Sequence, residues 1–291
     1  MNSRRSFIKQ AGIAAAGIAI LPNFYCKPEA ASKTVGLQLY SLREQLPKDL
    51  KGVIGKVAKA GYKEVETYGY TADGGYWGMD AKAFKALLDE NGLKAPSGHF
   101  GFEDFITTGN LDILKPLIEG AKALNMDYFT CPYLGEPLRT GLDDFKKIAG
   151  RLNEAADLCK KSNIQLAYHN HNFEFVKYGD TTGYDILLQE TDKEAVKFEM
   201  DLYWVVRSGN DPLALFKKHP GRFPMWHVKD MDKANNAINT EVGSGTIDFK
   251  GIYKHASEAG LQHLIVEQEN FSKDPFASIK QSFDYVNHEL V

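Results

Sequence analysis

The amino-acid sequence predicts an α/β fold, a closed (β/α)8 barrel of the TIM type, in one domain spanning residues 32–291. Eight short β-rich runs alternate with amphipathic helical stretches. No Pro/Ser/Gly-rich linker or low-complexity tract interrupts them. The competing fold is an open, doubly wound sheet, but no G-x-G-x-x-G follows the first strand, so its dinucleotide-binding form loses support.

The predicted strands each combine β-branched or aromatic residues with a nearby turn signal. They are residues 34–40, 64–68, 93–99, 127–131, 164–169, 196–201, 223–229 and 263–267. The clearest predicted helices carry apolar residues every three or four positions and are residues 50–60, 81–91, 111–124, 143–161 and 249–259. Gly61, Gly92, Asn163 and Gly260 are predicted to end four helices in the left-handed conformation.

The first 31 residues have the features of a twin-arginine signal peptide. Ser3-Arg4-Arg5-Ser6-Phe7-Ile8-Lys9 precedes an uncharged run over residues 11–21, and Glu29-Ala30-Ala31 offers a cleavage site. The run is shorter than the roughly 20 apolar residues that span a bilayer. We therefore expect export to the periplasm, with no stable membrane insertion after cleavage; an uncleaved membrane anchor is the alternative.

Bulk properties exclude some classes of partner. The net charge of -3 and the scattered Lys and Arg residues provide no basic surface, so we expect no nucleic-acid partner. Three cysteines are too few to staple a chain of 291 residues. Cys26 is expected to be lost with the signal peptide, and Cys131 and Cys159 to be buried as small apolar residues. The oligomeric state stays open.

Acidic and histidine residues recur where the predicted strands end, which is where the active sites of (β/α)8 barrels lie. They are Glu66 on the second strand, His99 on the third, His169 and His171 on the fifth, Glu199 and Asp201 on the sixth, His227 and Lys229 on the seventh, and Glu267 and Glu269 on the eighth. Such nitrogen and oxygen donors favour one divalent ion of Mn, Mg, Co, Fe or Zn. Since cysteine ligands are lacking, a catalytic role is favoured over a structural one.

Each of these residues also has an ordinary structural interpretation. A single Asp or His at a strand end is more often a helix cap, but caps are as readily Ser, Thr or Asn, which favours the metal site for the set as a whole. Lys229 lies either in the pocket or in a pair with Asp230. The segment Gly243-Ser244-Gly245-Thr246 either cradles an anion with its N–H groups or forms a turn before an Asp248 cap.

Four segments resemble the sugar phosphate isomerase/epimerase superfamily, the xylose isomerase-like barrels that include AP endonuclease family 2. They are Val35-Gly36-Leu37-Gln38-Leu39-Tyr40-Ser41-Leu42-Arg43, Tyr168-His169-Asn170-His171-Asn172-Phe173-Glu174-Phe175, Asp201-Leu202-Tyr203-Trp204 and His227-Val228-Lys229-Asp230. The resemblance runs from about Val35 to the C-terminus. The extra His and Asp ligands of the trinuclear zinc endonucleases are not apparent, which weakens a DNA-repair function.

The resemblance implies a cation held by groups from strands five to eight. Asp201, His227 and Glu267 match three of the family's ligand positions. On strand five, His169 stands where many relatives have a glutamate, and Glu174 follows five residues later. We expect Glu174 to be the fourth metal ligand and His169 to face the substrate, with His169 as the alternative ligand.

The resemblance also implies the chemistry. A base removes the proton next to a sugar carbonyl, and the cation stabilises the resulting enediolate. Glu267 and either Glu174 or His169 are the expected acid and base. The expected substrate contacts are His99, His171, Lys229, Glu269, Tyr40 and Trp204.

The sequence therefore predicts a sugar isomerase or epimerase in carbohydrate metabolism, acting on a small sugar or glycoside. Export favours an unphosphorylated substrate, so a lyase or hydrolase-like enzyme acting on 3-keto-glycosides is the alternative. A carbohydrate-binding barrel without turnover is the third hypothesis.

Overall fold

Eight parallel strands close into one barrel in the computed structural model, which describes residues 34–291. The predicted signal peptide and Cys26 lie outside the described residues. The barrel strands are β1 (Val35–Gln38), β2 (Glu64–Tyr68), β3 (Lys94–His99), β4 (Tyr128–Cys131), β5 (Gln165–His169), β6 (Val196–Asp201), β7 (Met225–Val228) and β8 (His263–Val266). Each strand pairs with the next in the chain, and β8 closes the ring on β1. The predicted fold class is confirmed, and each predicted strand is present.

Helices surround the barrel and cover the outer faces of its strands. They are α1 (Leu50–Ala60), α2 (Ala81–Glu90), α3 (Glu103–Thr108), α4 (Leu114–Ala123), α5 (Leu142–Lys160), α6 (Gly183–Glu190), α7 (Leu202–Arg207), α8 (Pro212–Lys218), α9 (Phe249–Tyr253), α10 (Ala256–Ala259) and α11 (Pro275–Glu289). Two short hairpins, Lys177–Tyr178 with Thr181–Thr182 and Asp230–Met231 with Asn239–Thr240, lie outside the barrel. With helices outside and packed side chains inside, most strand residues are buried on both faces.

The predicted helix ends agree with the backbone geometry. Gly61, Gly92, Asn163 and Gly260 all have positive φ, as predicted for left-handed stops. Two predicted helices are interrupted. The stretch 111–124 begins as a 3-10 turn over Leu111–Ile113, and 249–259 divides into α9 and α10.

Two further predictions concern the cysteines and the membrane. Cys131 and Cys159 are buried free thiols, as expected. Within residues 34–291, no helix combines the length and the apolar character needed to cross a membrane.

Candidate metal and catalytic centre

A cavity of about 530 Å³ opens at the carboxyl end of the barrel strands. Its floor and walls include His99, His169, His171, Glu267 and Glu269, and tyrosines stand at its mouth. The cavity is large enough for a sugar-sized ligand, and polar groups from several strands converge on it.

One group of possible metal ligands consists of Asp201, His227 and Glu267, all of which are buried. The pairing of β6 with β7 places Asp201 beside His227. The Nδ1 atom of His227 lies 3.2 Å from Glu267 Oε2. Asp201 also caps α7, because its Oδ1 accepts the Trp204 N–H at 3.0 Å. The helix cap and the ligand interpretation are therefore compatible, since each uses a different carboxylate oxygen.

A second group lies deeper and consists of His99, His169, Glu199 and His227, whose ligand atoms lie within 4.8 Å of one another. Glu199 is the centre of this group. Its Oε2 lies 2.8 Å from His99 Nε2 and 3.2 Å from His169 Nδ1, and its Oε1 lies 3.3 Å from His227 Nε2. Glu199 precedes Asp201 by two residues, so the alternation of a strand places both carboxylates on the inner face of β6.

Glu66 on β2 completes the deep group. Its Oε1 accepts the Ser97 hydroxyl at 2.6 Å, and its Oε2 accepts the Gln38 amide at 2.6 Å. The same Oε2 lies 2.6 Å from His227 Nε2 and 3.2 Å from His99 Nε2. His227 thus presents Nε2 to Glu66 and Glu199, and Nδ1 to Glu267.

The two groups differ in whether a lysine lies among their carboxylates. The ammonium of Lys229 lies 3.1 Å from Glu267 and 3.8 Å from Asp201, and it also contacts Glu269. Burial disfavours its charge, but Glu267, Asp201 and Glu269 outweigh that effect and raise the pKa of Lys229 above its usual range. Burial raises the pKa of Asp201 to about 7 despite Lys229. No lysine or arginine forms an ion pair with Glu66 or Glu199 within the described chain.

The pKa values of the histidines are shifted in different directions. Burial lowers the pKa of His169 to about 4 and that of His171 well below its usual value. Burial would do the same to His227, but the carboxylates of Glu199, Glu267 and Glu66 hold its pKa well above the usual value.

The residues present suit a divalent cation. Buried Asp201 Oδ2, Glu199 Oε1 and His169 Nδ1 have no hydrogen-bond partner within residues 34–291. An unpartnered buried polar atom is costly, so the two carboxylate oxygens, Asp201 Oδ2 and Glu199 Oε1, indicate a cation at this end of the barrel. The nitrogen and oxygen chemistry of both groups fits the ions that the sequence suggests.

Glu174 is not brought together with these groups. The 3-10 turn Phe173–Phe175 directs its carboxylate to Tyr168 Oη at 2.8 Å and to the His171 N–H at 2.9 Å. Burial raises the pKa of Glu174 to about 7. On the fifth strand, His169 is therefore the residue that reaches the cluster, whereas Glu174 supports the segment carrying His171.

The residues expected to contact substrate occupy different positions. His99, His171, Glu269 and Tyr40 line the cavity. Lys229 is buried behind Glu267 and Glu269. Trp204 is half-buried, with its ring 5.7 Å from that of His171.

Sequence reasoning gave no role to several residues that the fold brings to this centre. Glu199 and Glu66 were noted only as strand-end residues, although the two-residue spacing from Glu199 to Asp201 was a usable signal. Tyr133, which is 46% exposed at the mouth, had no sequence signal.

Two open alternatives are now decided. Lys229 pairs with Glu267 and Glu269 rather than with Asp230. The N–H groups of Gly243 and Gly245 each bind Asp230 Oδ2 at 2.9 Å, so this turn cradles an internal carboxylate. Asp248 caps the following helix through the Gly251 N–H at 2.9 Å, as one of the two interpretations expected.

The fold and the site define a class of protein. The model of the family described as xylose isomerase-like TIM barrel matches residues 54–288. The chain belongs to this family, as its sequence motifs indicated.

Individual relatives narrow the comparison. The chain is 26% identical over 272 residues to an inosose dehydratase from Lacticaseibacillus casei, which covers 80% of this chain and 87% of that protein. It is 30% identical to a solved sugar phosphate isomerase/epimerase from Parabacteroides distasonis ATCC 8503, with a TM-score of 0.78 over 88% of this chain and 98% of that one. A D-allulose 3-epimerase from Methylomonas sp., solved with D-allulose, shares the fold at 14% identity, with a TM-score of 0.68 over 88% of this chain and 96% of that one. The prediction of an enzyme of this class is confirmed.

Proposed function

We propose that this protein is a metal-dependent lyase that removes the proton next to the carbonyl of a keto-sugar and expels the substituent on the following carbon. The observation that carries the proposal is that His169, which ends β5, and Glu267, which directly follows β8, line one cavity, with β6 and β7 between these strands. His169 is thereby placed to transfer protons on one side of a bound sugar, and Glu267 to accept a sugar hydroxyl on the other.

His169 is the proposed base. Its Nδ1 is buried 3.2 Å from Glu199 Oε2, which leaves Nε2 as the nitrogen directed toward the cavity. With Nδ1 carrying its proton toward Glu199, Nε2 has a free lone pair, and the carboxylate stabilises the imidazolium that forms. This is the role that a carboxylate plays behind a catalytic histidine in many enzymes.

The elimination then balances. His169 Nε2 takes the proton from the carbon next to the carbonyl, and the C–H electron pair forms a carbon–carbon double bond as the neighbouring C–O bond breaks. The imidazolium returns its proton to the leaving oxygen, so water or an alcohol departs and an unsaturated ketone remains. Asp201, His227 and Glu267 would hold the divalent cation, which when bound would act as a Lewis acid toward the substrate carbonyl.

Glu267 and Lys229 hold the opposite side of the substrate. Lys229 fixes the Glu267 carboxylate at 3.1 Å, which keeps an acceptor in place for a sugar hydroxyl. Around the mouth, Tyr40 and Tyr133 present aromatic faces that suit the apolar face of a pyranose ring.

The curated relatives named inosose dehydratase support the proposal of an elimination. The name inosose dehydratase describes loss of water from an inosose. Isomerisation or epimerisation, the first interpretation of the sequence, is the second candidate. It is supported by the solved relative named sugar phosphate isomerase/epimerase and by two acid–base groups, which allow a proton to leave one face and return to the other.

We further propose that the substrate is met outside the cytoplasm, because residues 1–31 carry the twin-arginine pattern. Free or glycosidically linked sugars then fit better than phosphorylated ones. Cell fractionation of the wild type and of a variant with Arg4→Lys and Arg5→Lys tests this. Accumulation of both proteins in the cytoplasm would contradict it.

Proton NMR in D2O tests the reaction. The manganese-loaded protein is incubated with a 3-keto-glucoside and, separately, with an inosose. Release of the aglycone or of water with a new vinyl signal supports the lyase. Deuterium entering a recovered sugar without loss of a substituent selects the isomerase/epimerase. Binding without exchange or elimination would favour the carbohydrate-binding hypothesis.

Two histidine variants provide the control for that experiment. His169→Gln is expected to abolish both exchange and elimination, since the proposed base is lost. His263→Gln changes a histidine at the other end of the barrel and is expected to retain the wild-type rate. Equal rates for the two variants would exclude His169 as the base.

A further inference from the structure

We propose that the deep group forms a second cation site, with His99, Glu199 and Nε2 of His227 as ligands and Glu66 as a fourth donor. His227 would then release its ring proton to solvent and, as an imidazolate, bridge two ions, one on each ring nitrogen. This site is additional to the proposed reaction site at Asp201, His227 and Glu267. It does not depend on which sugar reaction the enzyme performs.

The two ring nitrogens of His227 face different sets of donors. Nδ1 lies 3.2 Å from Glu267 Oε2, whereas Nε2 lies 2.6 Å from Glu66 Oε2 and 3.3 Å from Glu199 Oε1. An imidazole has one nitrogen on each side of its ring, so one ion cannot use both. The single ion that the family resemblance suggests leaves one side of His227 and the whole deep group without a cation.

The spacing of the deep donors fits one ion. His99 Nε2 lies 2.8 Å from Glu199 Oε2 and 3.2 Å from Glu66 Oε2. Ligand atoms at metal distances of about 2.0–2.2 Å are themselves separated by roughly 3 Å. Four strands of the barrel supply these donors, so the scaffold itself fixes the set.

Charge gives an independent reason for a second ion. Five carboxylates converge here, from Glu66, Glu199, Asp201, Glu267 and Glu269, and the one nearby ammonium is that of Lys229. An imidazole that binds an ion through each nitrogen has lost its ring proton, so with Lys229 charged the cluster carries five negative charges, which two divalent ions largely neutralise. Lys229 contacts only Asp201, Glu267 and Glu269, so no ammonium or guanidinium of the described chain pairs with the deep carboxylates Glu66 and Glu199.

An unpartnered buried atom points to the same place. Glu199 is fully buried, and its Oε1 has no hydrogen-bond partner within the described chain, although His227 Nε2 is 3.3 Å away. The donor set of two imidazoles and two carboxylates favours Zn, Mn, Fe or Co over Ca. His99 and His169 line the cavity floor, which gives an ion a route from solvent.

Metal analysis of purified, reconstituted protein tests the proposal. The protein is loaded with Zn²⁺, desalted and assayed for bound zinc by plasma mass spectrometry. We expect two ions per wild-type chain, one in His99→Ala and Glu199→Gln, one in Asp201→Ala, and none in His227→Ala. His171→Ala removes a half-buried imidazole from the same cavity but outside both groups, and should retain two ions.

Two further measurements distinguish a missing second cation site from a misfolded variant and from failure of the proposed reaction. His169→Gln should lose turnover yet keep two ions, which separates catalysis from metal content. In wild-type protein loaded with Mn²⁺, ions on the two nitrogens of one imidazole would lie about 6 Å apart. Their exchange coupling should broaden the six-line EPR signal. A single ion per wild-type chain, or two ions that His99→Ala and Glu199→Gln both retain, would overturn the proposal.

Discussion

The two ends of this barrel both carry buried or half-buried histidines and glutamates, yet they are built differently. At the amino end, Glu64 accepts the Thr34 hydroxyl at 2.9 Å and lies 2.9 Å from His263 Nδ1, so each oxygen has a partner. At the carboxyl end, Glu66 and Glu199 share several histidines, and Glu199 Oε1 remains unpartnered within residues 34–291.

Cavity size alone would identify the wrong end. The cavity at the amino end measures about 1070 Å³, twice the 530 Å³ of the cavity at the carboxyl end. The larger one is bordered by residues such as Tyr128 and Gln262, which bond each other at 2.7 Å. The carboxyl end differs in having more buried side chains that could bind a metal than it has hydrogen-bond partners for them. Four predictions test this difference.

The largest difference in activity is expected between two variants that each replace one histidine, one at the carboxyl end and one at the amino end. His227→Ala removes a ligand candidate shared by both groups, and we expect activity to fall by about 10³-fold or more. His263→Ala should change activity by no more than about twofold, as ordinary substitutions away from a site do. Steady-state rates at equal metal concentration provide the comparison. Similar losses at both ends would remove the distinction.

Two glutamates on β2 test whether Glu66 supports metal binding by His227. Glu66→Gln replaces the carboxylate beside His227 Nε2 by a weaker donor, and loss of a group that supports a metal ligand typically lowers metal affinity by about 10–100-fold. Glu64→Gln makes the same change two residues earlier on β2, at the amino end, and should leave metal affinity unchanged. Competition with a fluorescent zinc chelator measures both. Unchanged affinity in Glu66→Gln would show that Glu66 does not support the metal site.

The aromatic residues at the rim of the carboxyl-end cavity are expected to contribute less to activity than the histidines and glutamates at its base. Tyr133→Ala removes an exposed ring whose stacking is worth about 0.5–1.5 kcal/mol, so KM should rise by up to roughly tenfold while kcat stays near the wild-type value. Tyr178→Ala changes a tyrosine that does not line this cavity and is the control. A fall in kcat with unchanged KM in Tyr133→Ala would indicate a different role.

The smallest effect concerns a fully partnered carboxylate that belongs to neither group of ligand candidates. Burial would raise the pKa of Glu241, but hydrogen bonds, including that of the Ser278 hydroxyl at 2.6 Å, lower it from 4.5 to about 2. The lowered pKa stabilises the fold above pH 4.5, and this stabilisation is lost as the pH falls toward 2. Glu241→Gln should therefore cost about 1–2 kcal/mol at pH 7.

Urea unfolding at a series of pH values measures that cost. The difference between the wild type and Glu241→Gln should shrink progressively below pH 4.5. A difference that stays constant down to pH 3 would mean that Glu241 acts through packing rather than through its charge.

The candidate site was only partly predictable from the sequence. Asp201, His227 and Glu267 were recognisable because they end their strands within family-like motifs, and all three converge. Glu174 was expected to join them, but local geometry decides its direction: a 3-10 turn after β5 points its carboxylate at Tyr168 and the His171 N–H. No periodicity rule predicts the direction of a side chain in such a turn.

The sequence by itself determined the order of strands and helices, their ends at Gly61, Gly92 and Asn163, and the family. These properties depend on local backbone preference and hydrophobic periodicity, which act within a few residues. Only the tertiary structure decided that Glu66 lies 2.6 Å from His227, 161 residues away, and that Lys229 serves Glu267 rather than Asp230. Such contacts arise because closing the ring between β8 and β1 sets the inward direction of every strand at once.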